Sequence, residues 1–173
     1  MEENDIKLLQ DRGYHNYYGS GVWACCLYGK RICVEDAPDG GCVVSVIDED
    51  DSMQSRERFR HAQIDGAPLK ELLDCVEKVT RMWYGPDREY AGVGYLDELL
   101  GDIVDGGWEL HLGRAGAVKC VTLAPPEGSA MSHEGAMNAF IGRSLSDLLY
   151  GVVLVAGSPK ARRRNNEKEV KHG

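Results

Sequence analysis

At 173 residues, 43% hydrophobic and 28% charged, the chain has apolar material for one good-sized core or two small ones, and too little length for several full domains. The formal charge of −8 divides unevenly: residues 1–159 carry −12 and the segment from Lys160 onward carries +4, so the body repels nucleic-acid and membrane phosphates while the tail attracts them. No stretch nears the roughly 18–20 apolar residues of a membrane span, and Met1-Glu2-Glu3-Asn4-Asp5 is acidic where a secretory signal is basic and then apolar, so the expectation is a soluble, cytoplasmic protein without a membrane partner.

In chain order, Ile6, Leu8 and Leu9 mark a short helix that Gly13 ends, and Tyr14 to Gly21 reads as an ordered, aromatic loop. Val22 to Tyr28, Arg31 to Glu35 and Cys42 to Ile47 are strand-like. A tight turn at Gly29-Lys30 and the Ala37-Pro38-Asp39-Gly40-Gly41 stretch join them into an antiparallel meander. Ser52 is placed to cap a short helix through His61. Beyond it, Pro68 opens a helix in which Leu69, Leu72, Leu73, Val76, Val79 and Met82 form one apolar stripe.

The second half begins with a helix around Leu96, Leu99, Leu100 and Ile103, closed by Gly106-Gly107. Trp108 to Leu112 alternates cleanly, turns at Gly113 to Gly116 and pairs with Ala117 to Leu123. A weak helix is predicted over 132–141, and Ser144-Leu145-Ser146-Asp147 has the form of a capping box before an amphipathic helix carrying Leu145, Leu148, Leu149, Val152 and Val155. The stretches from Gly66 and from Gly142 share Gly, Leu, an acid, Leu-Leu and Val in register, so the chain reads as two α-β-β-α units. The fold class is α+β: a unit over 1–90, a second over 91–157 packed on it, and a disordered basic tail over 158–173. Whether the likeness is a true duplication or shared helix chemistry stays open at this level.

Cys25, Cys26, Cys33 and Cys42 crowd the meander, but they form no C-x-x-C knuckle, and neighbours on a strand point to opposite faces, so they read as reduced, buried thiols and not as zinc ligands. Neither Gly19-Ser20-Gly21 nor His133-Glu134 fits a hydrolase frame, and Gly92-Val93-Gly94 lacks the rest of a phosphate loop. No catalytic residue, metal or cofactor is therefore expected. A pocket gathering His111, His133 or Cys120 would be the mark of a small hydrolase, the third reading of the chain.

Between Arg31 and Arg56 lie seven carboxylates and no base: Glu35, Asp36, Asp39, Asp48, Glu49, Asp50 and Asp51. They are expected to cluster at one end of the meander. There, with Tyr14, Tyr17 and Tyr18 beside them, they would form a docking patch whose carboxylates stand in for nucleic-acid phosphates. The preferred function is thus a non-enzymatic inhibitor that occludes a basic, nucleic-acid-binding protein. Phage-encoded anti-CRISPR proteins offer an analogy of charge and size alone. The rival is a small nucleic-acid-associated regulator, antitoxin-like or akin to double-stranded-RNA-binding modules, which would act through Lys160, Arg162, Arg163 and Arg164.

Overall fold

The computed structural model describes residues 1–17, 19–38, 40–49, 62–86, 93–116, 118–126, 138–142 and 144–159, with the backbone alone at 93–96, 115, 118 and 138–142. Helix α1 (Glu3–Asp11) leads through the left-handed Gly13 into a five-stranded antiparallel sheet. Its strands, β1 (His15–Asn16), β2 (Trp23–Leu27), β3 (Lys30–Asp36), β4 (Cys42–Asp48) and β5 (Ala62–Ile64), lie in sequence order. Helix α2 (Leu69–Tyr84) and helix α3 (Val93–Asp105) follow. The chain then forms a second antiparallel sheet, of β6 (Glu109–Ala115), β7 (Val118–Ala124) and β8 (Asn138–Gly142), and closes with helix α4 (Leu145–Ala156). The α+β class and the hairpin units agree with the sequence.

Several elements depart from expectation. Short strands at 15–16 and 62–64 extend the meander at both edges, and the predicted helix over 52–61 falls outside the described residues. The predicted helix over 132–141 is replaced, from Asn138 on, by β8, because β7 offers an open edge to pair with. The second hairpin turns later than expected: Ala115 faces Val118, so β6 runs through Gly113.

One main core takes residues from both halves. Ile32, Val34, Val44 and Val46 of the first sheet meet Leu69, Leu72, Leu73 and Val76 of α2, Val121 and Leu123 of β7, and α4. The α2 stripe holds through Val76, then passes to the buried Thr80, while Val79 and Met82 are only half-buried. Thr80 Oγ donates to the Val76 carbonyl at 2.6 Å and lies 2.8 Å from the Tyr150 hydroxyl, so both buried polar groups are satisfied. Helix α4 is not amphipathic. Leu148 through Val155 are all buried, since the helix packs against α2, α3, β5, β7 and β8.

Candidate functional site

The residues proposed as one docking patch lie at two ends of the meander. In the β3–β4 ladder, Asp36 faces Cys42 at one end and Lys30 faces Asp48 at the other. At about 3.3 Å per residue those ends are roughly 20 Å apart. The expectation of a single acidic cluster fails because a hairpin places the start of its first strand beside the finish of its second. Residues close in sequence at the β3–β4 turn are therefore far from those beyond β4. Glu35 is half-buried, and Asp36 is exposed and pairs with the amino group of Met1 at 2.7 Å. Asp39, Asp50, Asp51 and Tyr18 lie outside the described residues, as do Lys160, Arg162, Arg163 and Arg164.

The aromatic set divides as well. Tyr14 is buried in the core, where its hydroxyl donates to Glu77 at 3.1 Å and Arg12 reaches the same carboxylate at 3.2 Å. It presents no surface to a partner, which corrects its assignment as a docking residue. Burial, then the nearby Cys25 and Glu77, pushes its hydroxyl far above the ordinary phenol range. Tyr17 is half-buried on the opposite sheet face, against Val22, Ala24, Cys33 and Ile47, with the Arg31 guanidinium 5.8 Å from its ring centre.

The Lys30–Asp48 end carries a feature that sequence reading missed. Leu27 faces Lys30, so the β2–β3 loop is the two residues Tyr28 and Gly29, with φ of +52° and +75°. Positive φ at both centres is the mark of a type I′ hairpin turn, where asparagine or glycine is favoured at the first position. A tyrosine there incurs about 1–2 kcal/mol of left-handed strain. The residue is 40% exposed. Gly29 accepts the Glu49 amide at 3.0 Å, and Arg31 Nη2 donates to the Glu49 carbonyl, so the acid leaving β4 is fastened beside the turn. Glu49 itself is exposed. The sequence signal is the Tyr-Gly pair, and placing the turn at Gly29-Lys30 misses it by one residue.

Beneath this tip, Lys30 is buried and held by two carboxylates, Asp48 at 2.6 Å and Asp147 at 3.3 Å, with its ammonium 4.4 Å from the Tyr84 ring centre. Asp147 sits in the first turn of α4, where the Ser144 hydroxyl caps its amide at 3.1 Å and donates back to its carboxylate at 2.6 Å. Tyr84 donates to the same carboxylate at 2.6 Å. Burial works to raise the Asp147 carboxyl, but the Ser144 and Tyr84 hydrogen bonds and the Lys30 charge outweigh it and hold the group below the usual carboxylate range. Trp83 donates to Ser146 Oγ at 3.0 Å and its ring lies 6.3 Å from that of Tyr150. The constellation ties β3, β4, α2 and α4 into a rigid seat for the Tyr28 turn.

Chemistry elsewhere is sparse. Cys25 and Cys42 face the main core while Cys33 belongs to the opposite face, so these thiols cannot converge on one ion. Burial, then Asp5 and Asp36, pushes the Cys42 thiol up to about 11. Ser20 Oγ donates to the Tyr17 carbonyl at 2.6 Å, a turn contact, and His111 is exposed with Glu109 at 3.6 Å. Among the described residues, no group of three or more potential metal ligands converges, and no helix is long and apolar enough to cross a membrane. No protein-family model matches the chain, and comparison with curated proteins and with solved structures finds no significant match.

Proposed function

We propose that this protein is a non-enzymatic binding protein, an acidic inhibitor whose Tyr28 end occludes a basic, nucleic-acid-binding surface of another protein. The observation that carries this reading is the exposed Tyr28 held in a left-handed turn beside Glu49. Strain retained in a bulky, solvent-facing residue points to a functional role at that position, and tyrosine joins large contact area to a polar tip. Asp50 and Asp51 follow Glu49 in the chain, and the −12 body adds long-range attraction for a cationic partner. Asp48 takes a structural role beneath the surface, as the Lys30 counter-ion.

The test is recovery of a partner by tagged protein from its native cells, after nuclease treatment, with three variants. Glu49→Gln with Asp50→Asn and Asp51→Asn removes charge at the Tyr28 end and leaves Asp48 intact. Asp36→Asn with Asp39→Asn removes it at the other end, and the third variant lacks residues 160–173. The inhibitor reading expects a basic protein lost with the first variant and at high salt, and kept with the other two. Nuclease-sensitive binding that depends on Arg162 to Arg164 would replace it with the nucleic-acid-associated regulator.

A further inference from the structure

The two sheets treat their edges differently. The first ends in β1 and β5, of 2 and 3 residues, which are themselves too short to offer a long edge. The second presents β6, 7 residues long and paired only to β7 among the described residues. Natural sheets blunt such an edge with charged side chains, lysine above all, with proline or with a bulge, and β6 carries charges only toward its ends, at Glu109 and Arg114. Glu109-Leu110-His111-Leu112-Gly113-Arg114-Ala115 contains neither lysine nor proline, and its register with β7 is unbroken. Leu112, at its midpoint, is 63% exposed although it faces the fully buried Val121 across the ladder.

We infer that the outer edge of β6 is a self-association surface, on which a second copy of this chain adds its own β6 antiparallel about Leu112. The alternation of the ladder supplies the argument. In a two-residue hairpin the pair flanking the loop, here Ala115 and Val118, exchanges hydrogen bonds, and bonding pairs recur every second residue. Glu109, His111 and Gly113 therefore spend their amides and carbonyls on β7, and Leu110, Leu112 and Arg114 turn theirs outward. A two-fold axis perpendicular to the sheet requires facing residues to share a side, so it passes through a residue and not between two.

Placed through Leu112, that axis sets Leu112 against Leu112 of the second copy, and Leu110 against Arg114 in both directions. Each of these pairs joins outward-facing backbone groups. The overlap is the longest the strand allows, the exposed leucines bury one another, and no like charges are opposed. Axes through Leu110 or Arg114 shorten the ladder, and the latter opposes two guanidiniums. The inference is independent of the docking role assigned to Tyr28, which lies in the other sheet.

Sedimentation equilibrium of the full chain across micromolar to millimolar concentration tests it, together with amide exchange at both extremes. A monomer–dimer equilibrium is expected, weakened at least tenfold by Leu112→Lys, which opposes two ammonium groups at the axis. Val104→Lys, which adds the same charge at an apolar site 55% exposed on α3, leaves it unchanged. In the unmodified protein, exchange at Leu110, Leu112 and Arg114 slows as concentration rises, whereas His111 and Gly113 are protected throughout. A chain that stays monomeric, a dimer indifferent to Leu112→Lys, or exchange without that alternation would each overturn the inference. Protection that arises only on adding a different protein would also overturn it, by making the edge a site for a foreign strand.

Discussion

Replacing Lys30 with methionine removes the cation that pairs with both Asp48 and Asp147 while filling most of its volume. Its ammonium lies 2.6 and 3.3 Å from the two carboxylates, and its side chain is 8% exposed. Unit charges 4 Å apart interact by about 4 kcal/mol at an effective dielectric constant near 20. A fully buried pair that loses one partner costs about 3–5 kcal/mol, chiefly through the orphaned charge. Here Asp48 and Asp147 keep 20% and 19% of their side-chain exposure, so water takes up part of the charge. The expected loss is about 2–4 kcal/mol, read as a shift in the urea midpoint followed by circular dichroism at pH 7. Adding Asp48→Asn to Lys30→Met should recover at least about 1 kcal/mol of that loss, because the second change removes a carboxylate that has lost its Lys30 counter-charge. A Lys30→Met midpoint within about 0.5 kcal/mol of the parent would refute the view that this ion cluster fastens the meander to α4.

Acid titration gives a second expectation. The Asp147 carboxyl is lower in the folded chain than its unfolded value near 3.9, so its contribution is fully present above that value and is lost as pH falls through the folded one. Lys30→Met removes one cause of the lowering, so the stability gap between this variant and the parent should narrow as pH falls through the carboxylate range; a gap of unchanged size in acid would count against it. Thiol labelling followed by mass spectrometry should modify the exposed Cys26 first and Cys33 and Cys42 last, as both are buried and burial holds the Cys42 thiol up at about 11. Tyr28→Asn should lower affinity for a captured partner at least tenfold while leaving the circular dichroism spectrum unchanged, since asparagine suits the turn. Ser45 Oγ is buried without a hydrogen-bond partner among the described residues, so Ser45→Ala should be neutral or raise stability by up to about 1 kcal/mol in the same urea assay.

Elements with a strong period or a strong cap are legible in the amino-acid sequence alone: the α2 stripe through Val76, the Ser144 cap and the β2–β3–β4 meander. The elements that are not legible depend on their neighbours. Residues Asn138 to Gly142 mix two strand formers, Phe140 and Ile141, with asparagine, alanine and glycine, and the open side of β7 decides between the states. The α4 sequence resembles the amphipathic start of α2, but its apolar run from Leu148 to Val155 continues around the helix, a sign of all-round burial that a single stripe does not convey. Tyr14 and Tyr17, three residues apart, go to opposite faces of the sheet because β1 intervenes, so aromatic density in sequence does not become a surface. The acidic run divides for a topological reason, since a strand of seven residues separates its two parts.

The shared core bears on whether the halves over 1–90 and 91–157 could stand alone. Seven apolar side chains of α4 are buried, namely Leu148, Leu149, Tyr150, Val152, Val153, Leu154 and Val155. At about 1.5–3 kcal/mol for each, their burial is worth roughly 10–20 kcal/mol gross. A domain's entire net stability is only about 5–15 kcal/mol. Without α4, α2 keeps its packing on the first sheet, but Thr80 loses the Tyr150 hydroxyl, and Lys30 and Tyr84 lose Asp147. The separate fragments 1–90 and 91–173 should therefore each lack a cooperative thermal transition, and mixing them should restore one together with native-like near-ultraviolet circular dichroism. A fragment 1–90 that unfolds cooperatively at a midpoint near that of the whole chain would show that α4 covers the first unit without supporting it. The two halves would then be independent domains in contact. The geometry argues the other way: α4 belongs by sequence to the second unit, and by packing to both.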